Sequence, residues 1–354
     1  MKPKLATFDE VAPFLKRIDQ SHVYSNRGPL VRELEETYSR YLKVDKQLVV
    51  ALSNATQAIQ GLVSISRKND WVVPDYTFSA TGLAVLNANK NLCICDVNLV
   101  DWKIDINLIT EKQKSFGIIP VMPFGAAIDF EPYKGFEDVI IDAAASLGSI
   151  PPTFSEMQNS WAVVYSLHAT KVLGAGEGAI IVCGNLDQAN SLRAWSNFGF
   201  MSDRTSEIQG ANAKMSEVSA AYGLYSIQNI EIEKADWLES QEFVASITGN
   251  CVWGTFVNSK PQFHPYWIAG FNDVIQRNEI ANVLEQKGIQ CRNWWAKPLS
   301  AQKAFSECTV LGDAGVSTQL SNMHLGLPMF RGLRREHVLE VHNSINKVLK
   351  IGSD

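Results

Sequence analysis

One lysine lies between two apolar runs in the stretch SLHATKVLGAGEGAIIV, which extends over residues 166–182. The run WAVVY precedes Lys171 and the run AIIVC follows it, with three glycines at alternate positions in between. Glycines let other groups approach the backbone closely. A lysine held there loses part of its hydration, which favours the neutral, nucleophilic amine. A solvated loop lysine is the ordinary alternative.

A carboxylate occupies a comparable position in the stretch DVIIDAAAS. Asp142 ends the apolar part of this stretch and is followed by three alanines. An acid at the end of a strand is often the N-cap of a helix. It could equally hold the cationic ring nitrogen of a flat ligand, for which the small alanine side chains leave room. The residues alone leave both interpretations open.

Small polar residues follow a third apolar run, LVVAL, and a helix is expected to begin near Ala55 or Thr56. The N–H groups and the dipole of a helix start bind phosphate, although Ser53 or Asn54 could simply cap the helix. After the run DWVV comes Phe78, whose ring could stack on a flat cofactor or belong to the core.

A phosphate cradle, an aromatic ring, an acid and a lysine therefore each follow a predicted strand. Together they suit pyridoxal phosphate, with the lysine forming a Schiff base, the acid pairing with the pyridinium nitrogen and the helix start holding the phosphate. A dinucleotide site is the weaker interpretation. Gly174, Gly176 and Ala179 match its glycine pattern, but a strand follows them where that site requires a helix.

The elements that position these residues are seven short apolar runs between Leu48 and Gly184. The runs are continuous and alternate with helix-compatible segments such as 55–67 and 79–89, which is typical of a mostly parallel sheet covered by helices. After Gly184 the pattern is helical. From about Cys251, strand-like runs (QFHPYWIAG and GIQCRNWW) flank the helical segment DVIQRNEIANVLEQKG, and a last helix is expected in RREHVLEVHNSINKVLK. We predict an α/β fold with a large domain (residues 1–240) and a smaller C-terminal α+β domain (residues 241–354).

Composition limits the partners. The 354 residues are 46% apolar and 19% charged, with a net charge of −5, so a large core is expected and no basic surface for nucleic acid or anionic membrane. The six cysteines include no CxxC pair, and Cys93 and Cys95 are expected to share one buried strand face. No apolar stretch approaches the roughly 20 residues that span a membrane. We expect a cytoplasmic protein with no metal site.

From about Tyr24 to Leu349 the chain resembles the DegT/DnrJ/StrS family of nucleotide-sugar aminotransferases, which has the aspartate aminotransferase-like fold (fold type I). The resemblance lies in ordered stretches: GPLVRELEETYSRYL, ALSNATQAI, VVPDYTFSAT, IIDAAASLGS, YSLHATKVLGAGEGAIIV, GANAKMSEVSAAYGL and LSNMHLGLPMF. It implies a mostly parallel seven-stranded sheet, pyridoxal 5'-phosphate with its pyridoxamine form as intermediate, and a homodimer with sites at the subunit interface.

The resemblance also implies which residues meet the cofactor ring. Lys171 would hold the cofactor as a Schiff base and shuttle the proton, Asp142 would hold the pyridine nitrogen, and Phe78 would stack on the ring. The family usually has Gln or His where Ala145 stands, which leaves the packing on that ring face undefined.

The resemblance implies a second set of residues that would bind anionic groups. Ser166, Ala55 and Thr56 would bind the cofactor phosphate from one subunit, and Asn212 would reach the phosphate of the other. The family usually has Gly at the Ala55 position, so this backbone must avoid positive φ. Lys214 stands where the family often has Arg, and would meet an acidic group of the amino donor or sugar nucleotide.

Four further residues are expected at the substrate. These are Tyr24 and Asn26 in YSNRGPL, and the pair Trp294–Trp295, which could stack on a base or sugar or could pack the small domain. Because YSNRGPL, NAKMSE and the tryptophan pair resemble the family's 4-amino branch, the expected reaction moves an amino group from glutamate to a dTDP-4-keto-6-deoxyhexose. Amination of a 3-keto sugar is the nearest alternative.

Two other classes of protein share this fold. One is a sugar dehydratase or lyase that uses the same cofactor; the dehydrating branch of the family has histidine where Lys171 stands. The other is a non-enzymatic regulatory relative, against which the intact Lys171 and Asp142 speak.

Overall fold

A computed structural model of the chain describes residues 3–149, 151–249, 251, 253, 255–256, 263 and 265–351. The strands in these ranges are β1 (Val49–Leu52), β2 (Asp70–Pro74), β3 (Asn91–Cys95), β4 (Gly117–Ile118), β5 (Ile140–Asp142), β6 (Ala162–Ser166), β7 (Ala179–Cys183), β8 (Thr255–Phe256), β9 (Trp267–Gly270), β10 (Thr309–Leu311) and β11 (His324–Leu327). The α-helices are α1 (Phe8–Ser21), α2 (Pro29–Leu42), α3 (Ala55–Ile65), α4 (Ser79–Asn87), α5 (Leu186–Ser196), α6 (Glu217–Gln228), α7 (Ile230–Thr248), α8 (Val274–Gln286), α9 (Gly315–Met323) and α10 (Arg335–Leu349).

The central sheet consists of two four-stranded parts, in the orders β1-β7-β6-β5 and β10-β3-β2-β4. Two parallel bridges, Ile118–Val139 and Val121–Asp142, connect the β4 and β5 sides of these parts. The strands pair in parallel except at β7, which is antiparallel to β1 and β6. The predicted α/β fold with a mostly parallel sheet is thus confirmed. β7 is the exception: residues 167–178, which connect it to β6, contain no helix of the kind that usually forms the crossover between parallel strands.

The continuous apolar runs are buried on both faces of the sheet. In β6, Val163 and Tyr165 belong to one core cluster, whereas Ala162 and Val164 belong to the other. Successive strand residues point to opposite faces, so a strand covered on both sides is apolar throughout. α2 and α6 contribute to the first cluster, and α3 and α5 to the second. This double covering fixes the strand ends, where the polar residues of interest begin.

The C-terminal half differs in detail from the sequence prediction. The long helical stretch after residue 213 is divided at Asn229 into α6 and α7. The prediction of a strand in GIQCRNWW is wrong. This segment makes only the isolated bridge Arg292–Gly326 and then turns at Trp295, whose φ is 49°. Residues 262 and 264 of the run QFHPYWIAG lie outside the described ranges, and β9 begins at Trp267.

Two regions connect across the predicted domain boundary. β10 pairs with β3 and so extends the central sheet with a C-terminal segment, while β8, β9 and β11 form a separate antiparallel sheet. Ser300 donates from its N–H and its hydroxyl to the Asp75 carboxylate after β2, at 2.7 and 2.8 Å. The division at residue 240 stays a prediction.

The buried pair Cys93 and Cys95 lies in one core cluster, as their spacing predicts, and both are free thiols. In the described part of the chain, no group of three or more His, Cys, Asp or Glu residues is placed to hold a metal ion. Within the same ranges, no helix combines the length and apolarity needed to cross a bilayer.

Candidate active site

A cavity of about 720 Å³ lies at the carboxyl ends of the central strands, between the sheet and the C-terminal segment. Parallel sheets place ligands at this edge. Most of the residues proposed from the sequence line this cavity: Ala55, Thr56, Phe78, Asp142, Ala145, Ser166, Lys171, Trp294 and Trp295. We call Ala55, Thr56, Asp142, Ser166 and Lys171 the strand-end wall, because each follows or ends a strand of the sheet.

The start of α3 supplies backbone donors to the strand-end wall. Asn54 caps the helix by accepting a hydrogen bond from the N–H of Gln57 at 2.8 Å. The amides of Ala55 and Thr56 belong to the first turn, where N–H groups have no partner within the helix. Ala55 is helical and is not among the residues with positive φ, so the alanine is accommodated. Capping and anion binding are therefore compatible here, and the first-turn amides suit a phosphate.

Asp142 is a buried carboxylate with an exposed fraction of only 7%. It accepts hydrogen bonds from the Thr81 hydroxyl at 2.8 Å and from the Ala144 N–H at 3.1 Å, and it caps no helix. Burial raises the pKa of Asp142, while the two hydrogen bonds and the charge of Lys171 oppose that shift. No ion pair among the described residues includes Asp142. A cationic ligand group beside it would supply the counter-charge that burial makes favourable.

Lys171 lies in the connection between β6 and β7. The turn is closed by hydrogen bonds from the Ala169 N–H to the Gly176 carbonyl and from the Lys171 N–H to the His168 carbonyl, both 2.8 Å long. Gly176 adopts a φ of 85°, which favours glycine. The half-buried side chain of Lys171 reaches into the cavity, and its Nζ lies 2.9 Å from the Tyr266 hydroxyl oxygen. The glycines thus shape a tight turn that presents an amine to the cavity.

The opposite side of the cavity is formed by rings, and we call Phe124, Tyr266, Trp294 and Trp295 the aromatic wall. The rings of Phe124 and Trp295 stack at 4.5 Å with an interplanar angle of 22°. Tyr266 contacts Trp294 edge-on at 5.7 Å. Ala145 packs against this cluster, so its small side chain leaves that face of the cavity to the aromatic residues.

Sequence reasoning missed Phe124, Tyr266 and Arg292, which also line the cavity. Tyr266 lies in an apolar, aromatic run that reads as a strand, and nothing in its spacing relates it to Lys171, 95 residues earlier. Phe124 has a φ of 49°, an unusual backbone for a bulky residue. An aromatic residue next to glycine, as in the sequence Phe124–Gly125, is too weak a signal to indicate such a turn.

The other proposed residues lie away from this cavity within one subunit. Asn26 and Lys214 line a separate cavity of about 430 Å³. The Lys214 Nζ is 4.2 Å from the ring centroid of Phe198 and has no hydrogen-bond partner in the described residues, and burial lowers the pKa of Lys214. Asn212 and Tyr24 are exposed and line neither cavity. Their expected place in a partner's site stays a prediction.

Residues 8–346 match the model of the DegT/DnrJ/EryC1/StrS aminotransferase family. The chain belongs to this family. It is 26% identical over 362 residues to the dTDP-4-amino-4,6-dideoxy-D-glucose transaminase of Shigella dysenteriae, covering 98% of each chain. It is 22% identical over 335 residues to the dTDP-3-amino-3,4,6-trideoxy-alpha-D-glucose transaminase of Streptomyces venezuelae, covering 90% of this chain and 87% of that one.

The fold agrees with solved structures of the same kind. A structure of DesI, determined in the presence of its TDP-sugar product, superposes with a TM-score of 0.85 at 23% identity, over 100% of this chain and 94% of that chain. This similarity shows the fold. The aspartate aminotransferase-like fold implied by the sequence motifs is therefore confirmed, and the protein is an aminotransferase that uses pyridoxal phosphate.

The strand-end wall fits pyridoxal phosphate by its chemistry. A buried acid that forms no ion pair among the described residues, a helix start with first-turn amides and a half-buried lysine amine match the ring nitrogen, the phosphate and the aldehyde of that cofactor. When bound, the cofactor withdraws electrons from the carbon that exchanges its amino group. Asp142 would keep the ring nitrogen protonated, the first turn of α3 and the Ser166 hydroxyl would hold the phosphate, and the Lys171 amine would accept and return a proton.

Proposed function

We propose that the protein transfers an amino group from glutamate to a dTDP-linked 4-keto-6-deoxyhexose. The observation that supports this best is that Lys171 and Asp142 line the same cavity, together with the aromatic wall. The strand-end wall serves the amino transfer itself. The aromatic wall offers apolar faces to the ring C–H groups and the methyl group of a deoxysugar. The name of the Shigella dysenteriae relative, a 4-amino sugar transaminase, agrees with this choice of acceptor.

Within the site, Tyr266 holds the Lys171 amine through the 2.9 Å contact between its hydroxyl oxygen and Nζ. An amine fixed in this way keeps its lone pair and protons in a defined direction, which a proton shuttle requires. Tyr266 is buried, with 7% of its surface exposed, and its ring also packs on Phe124 at 5.5 Å. The aromatic wall therefore positions the shuttle as well as the acceptor.

The functional unit proposed here is a homodimer. Asn212 would extend to the cofactor phosphate of the second subunit, and Lys214, whose ammonium has no hydrogen-bond partner in the described residues, would meet an acidic substrate group there. Mixed dimers of Lys171→Ala and Asn212→Asp chains test this arrangement. If sites are shared, the mixture regains part of the wild-type activity that each variant lacks alone; if each subunit works by itself, mixing adds nothing.

Product analysis tests the substrate. The purified protein is incubated with glutamate and either dTDP-4-keto-6-deoxyglucose or the 3-keto isomer, and the sugar product is examined by mass spectrometry and NMR. We expect an amine at C4 and consumption of one glutamate per sugar. Amination only of the 3-keto isomer would replace the proposed acceptor, as the name of the Streptomyces venezuelae relative would suggest. A deoxygenated sugar formed without glutamate consumption would indicate a dehydratase.

A further inference from the structure

Arg292 is a cation at the cavity that neither the sequence motifs nor the strand-end wall explains. Its side chain is exposed and lines both the cavity and the groove beside α8. In the described part of the chain its guanidinium has no carboxylate partner. A planar guanidinium without an acid partner suits bidentate binding of an external anion.

The backbone of Arg292 is fixed. Its N–H donates to the Gly326 carbonyl at 2.9 Å, and the Gly326 N–H donates to the Arg292 carbonyl at 2.7 Å. These two hydrogen bonds hold the backbone of Arg292 against β11, although residue 292 lies outside the helices and strands. The position of the side chain is therefore restrained at its backbone end.

The side chain is directed by Trp294. The Arg292 Cζ lies 5.4 Å from the Trp294 ring centroid, within the range of a cation–π contact. A Cβ placed on Gly326 would overlap the Trp294 indole, so the glycine leaves the room in which this indole lies. Gly326 therefore serves two functions here: its backbone fixes Arg292, and its missing side chain admits the ring that supports the guanidinium.

We propose that Arg292 binds the diphosphate of the nucleotide-sugar acceptor at the mouth of the cavity, an inference that rests on the proposed function. A series of contacts joins Arg292 to Trp294, Trp294 to Tyr266 and Tyr266 to the Lys171 amine. The exposed guanidinium is therefore two aromatic residues removed from the amine in this series. The diphosphate is attached at C1 of the sugar, remote from a keto carbon at C4, so it can lie at the mouth while the keto carbon lies near the amine. With a net charge of −5, the protein needs local cations for such a ligand.

The test compares Arg292→Gln with Arg67→Gln, an exposed arginine after α3 that lines no part of the cavity. Binding of dTDP, thymidine and inorganic pyrophosphate to the cofactor-loaded protein is measured by calorimetry. We expect Arg292→Gln to weaken dTDP and pyrophosphate binding about tenfold or more, since a charge-assisted bidentate contact is lost. Thymidine binding and the rate at which glutamate alone changes the cofactor spectrum should not change. Arg292→Lys should recover only part of the dTDP affinity, because an ammonium has no planar fork.

The outcomes separate this proposal from the proposed function. Unchanged dTDP and pyrophosphate affinity in Arg292→Gln, or no pyrophosphate binding by the wild type, would overturn the diphosphate site. A loss confined to the glutamate step would assign Arg292 to the donor carboxylate and would also overturn it. If the wild type binds pyrophosphate through Arg292 yet aminates no nucleotide sugar, the anion site stands and the proposed function fails.

Discussion

The two sides of the cavity differ in how the chain builds them. Each residue of the strand-end wall is supplied by a local motif at the end of β1, β5 or β6 or in the turn after β6. The aromatic wall combines residues from distant segments, and two of them, Phe124 and Trp295, have positive φ. Chemistry common to a fold thus depends on short motifs at fixed strand ends. The aromatic wall, which we propose faces the sugar nucleotide, depends on long-range packing.

Lys171→Ala should have the largest effect, because it removes the amine that the strand-end wall presents. We expect amino transfer to fall about 10²–10⁴-fold, the range typical of a lost general acid–base group. The visible band that borohydride removes should be absent, as spectra of the variant loaded with pyridoxal phosphate would show. Lys112→Ala, at an exposed lysine that does not line the cavity, serves as the control. A variant that keeps both band and activity would move the chemistry away from Lys171.

Asp142→Asn should be next in size. Breaking a buried charge pair costs about 3–5 kcal/mol, which is roughly 200- to 5,000-fold in cofactor affinity or rate. Release of pyridoxal phosphate measured by ultrafiltration, together with kcat, would detect it. The surface variant Asp19→Asn should leave both values unchanged. Wild-type affinity and kcat in Asp142→Asn would mean that this carboxylate does not pair with the cofactor ring.

The same residue predicts a pH effect in the cofactor-free protein. Burial raises the pKa of Asp142 in the folded state, so the folded chain binds this proton more tightly than the unfolded chain does. The resulting contribution to the free energy of unfolding is present at low pH and is lost as the pH rises through the folded pKa. In urea unfolding, the stability difference between Asp142→Asn and wild type should therefore grow in favour of the variant with rising pH. A difference independent of pH would contradict this.

How far the fold could be predicted follows from the same contrast. β2 and β7 lie within runs recognised from the sequence, since strands buried on both faces are apolar throughout. The run GIQCRNWW is also apolar in part, yet it forms only one bridge, because Trp295 turns the chain. Apolar content predicts burial, whereas the backbone turn depends on the packing of the Trp295 ring against Phe124.

The residues of the site also differ in whether they could be predicted from the sequence. Asp142 and Lys171 could be proposed because each lies directly after a recognisable strand or between two of them. Tyr266 could not, since its contact with Lys171 joins segments 95 residues apart. The roles assigned to Asn212 and Lys214 depend on a second subunit and stay predictions.

Tyr266→Phe tests whether the aromatic wall also serves the chemistry. Loss of one hydrogen bond to the Lys171 amine should slow amino transfer about tenfold. The ring is retained, so the unfolding midpoint should change little. An unaltered rate of amino transfer would confine Tyr266 to packing.

Trp295→Ala should have the smallest effect. It should weaken binding of the keto-sugar acceptor and leave the reaction with glutamate unchanged. Loss of the aromatic face that it offers to the keto-sugar is expected to cost about 0.5–1.5 kcal/mol, or about twofold to tenfold in KM for that substrate. Trp295→Phe keeps a ring and should stay near wild type. An equal loss of rate in the glutamate half-reaction would show that the aromatic wall does not act on the acceptor alone.

The role of Lys171 is tested most directly by locating the cofactor on the chain. Protein loaded with pyridoxal phosphate is reduced with borohydride, digested and mapped by mass spectrometry, with and without prior addition of glutamate. We expect a pyridoxyl group on Lys171, in the peptide from the β6–β7 connection, and its loss when glutamate is added first. A label on another lysine, or none at all, would contradict the assignment of this cavity as the site of amino transfer.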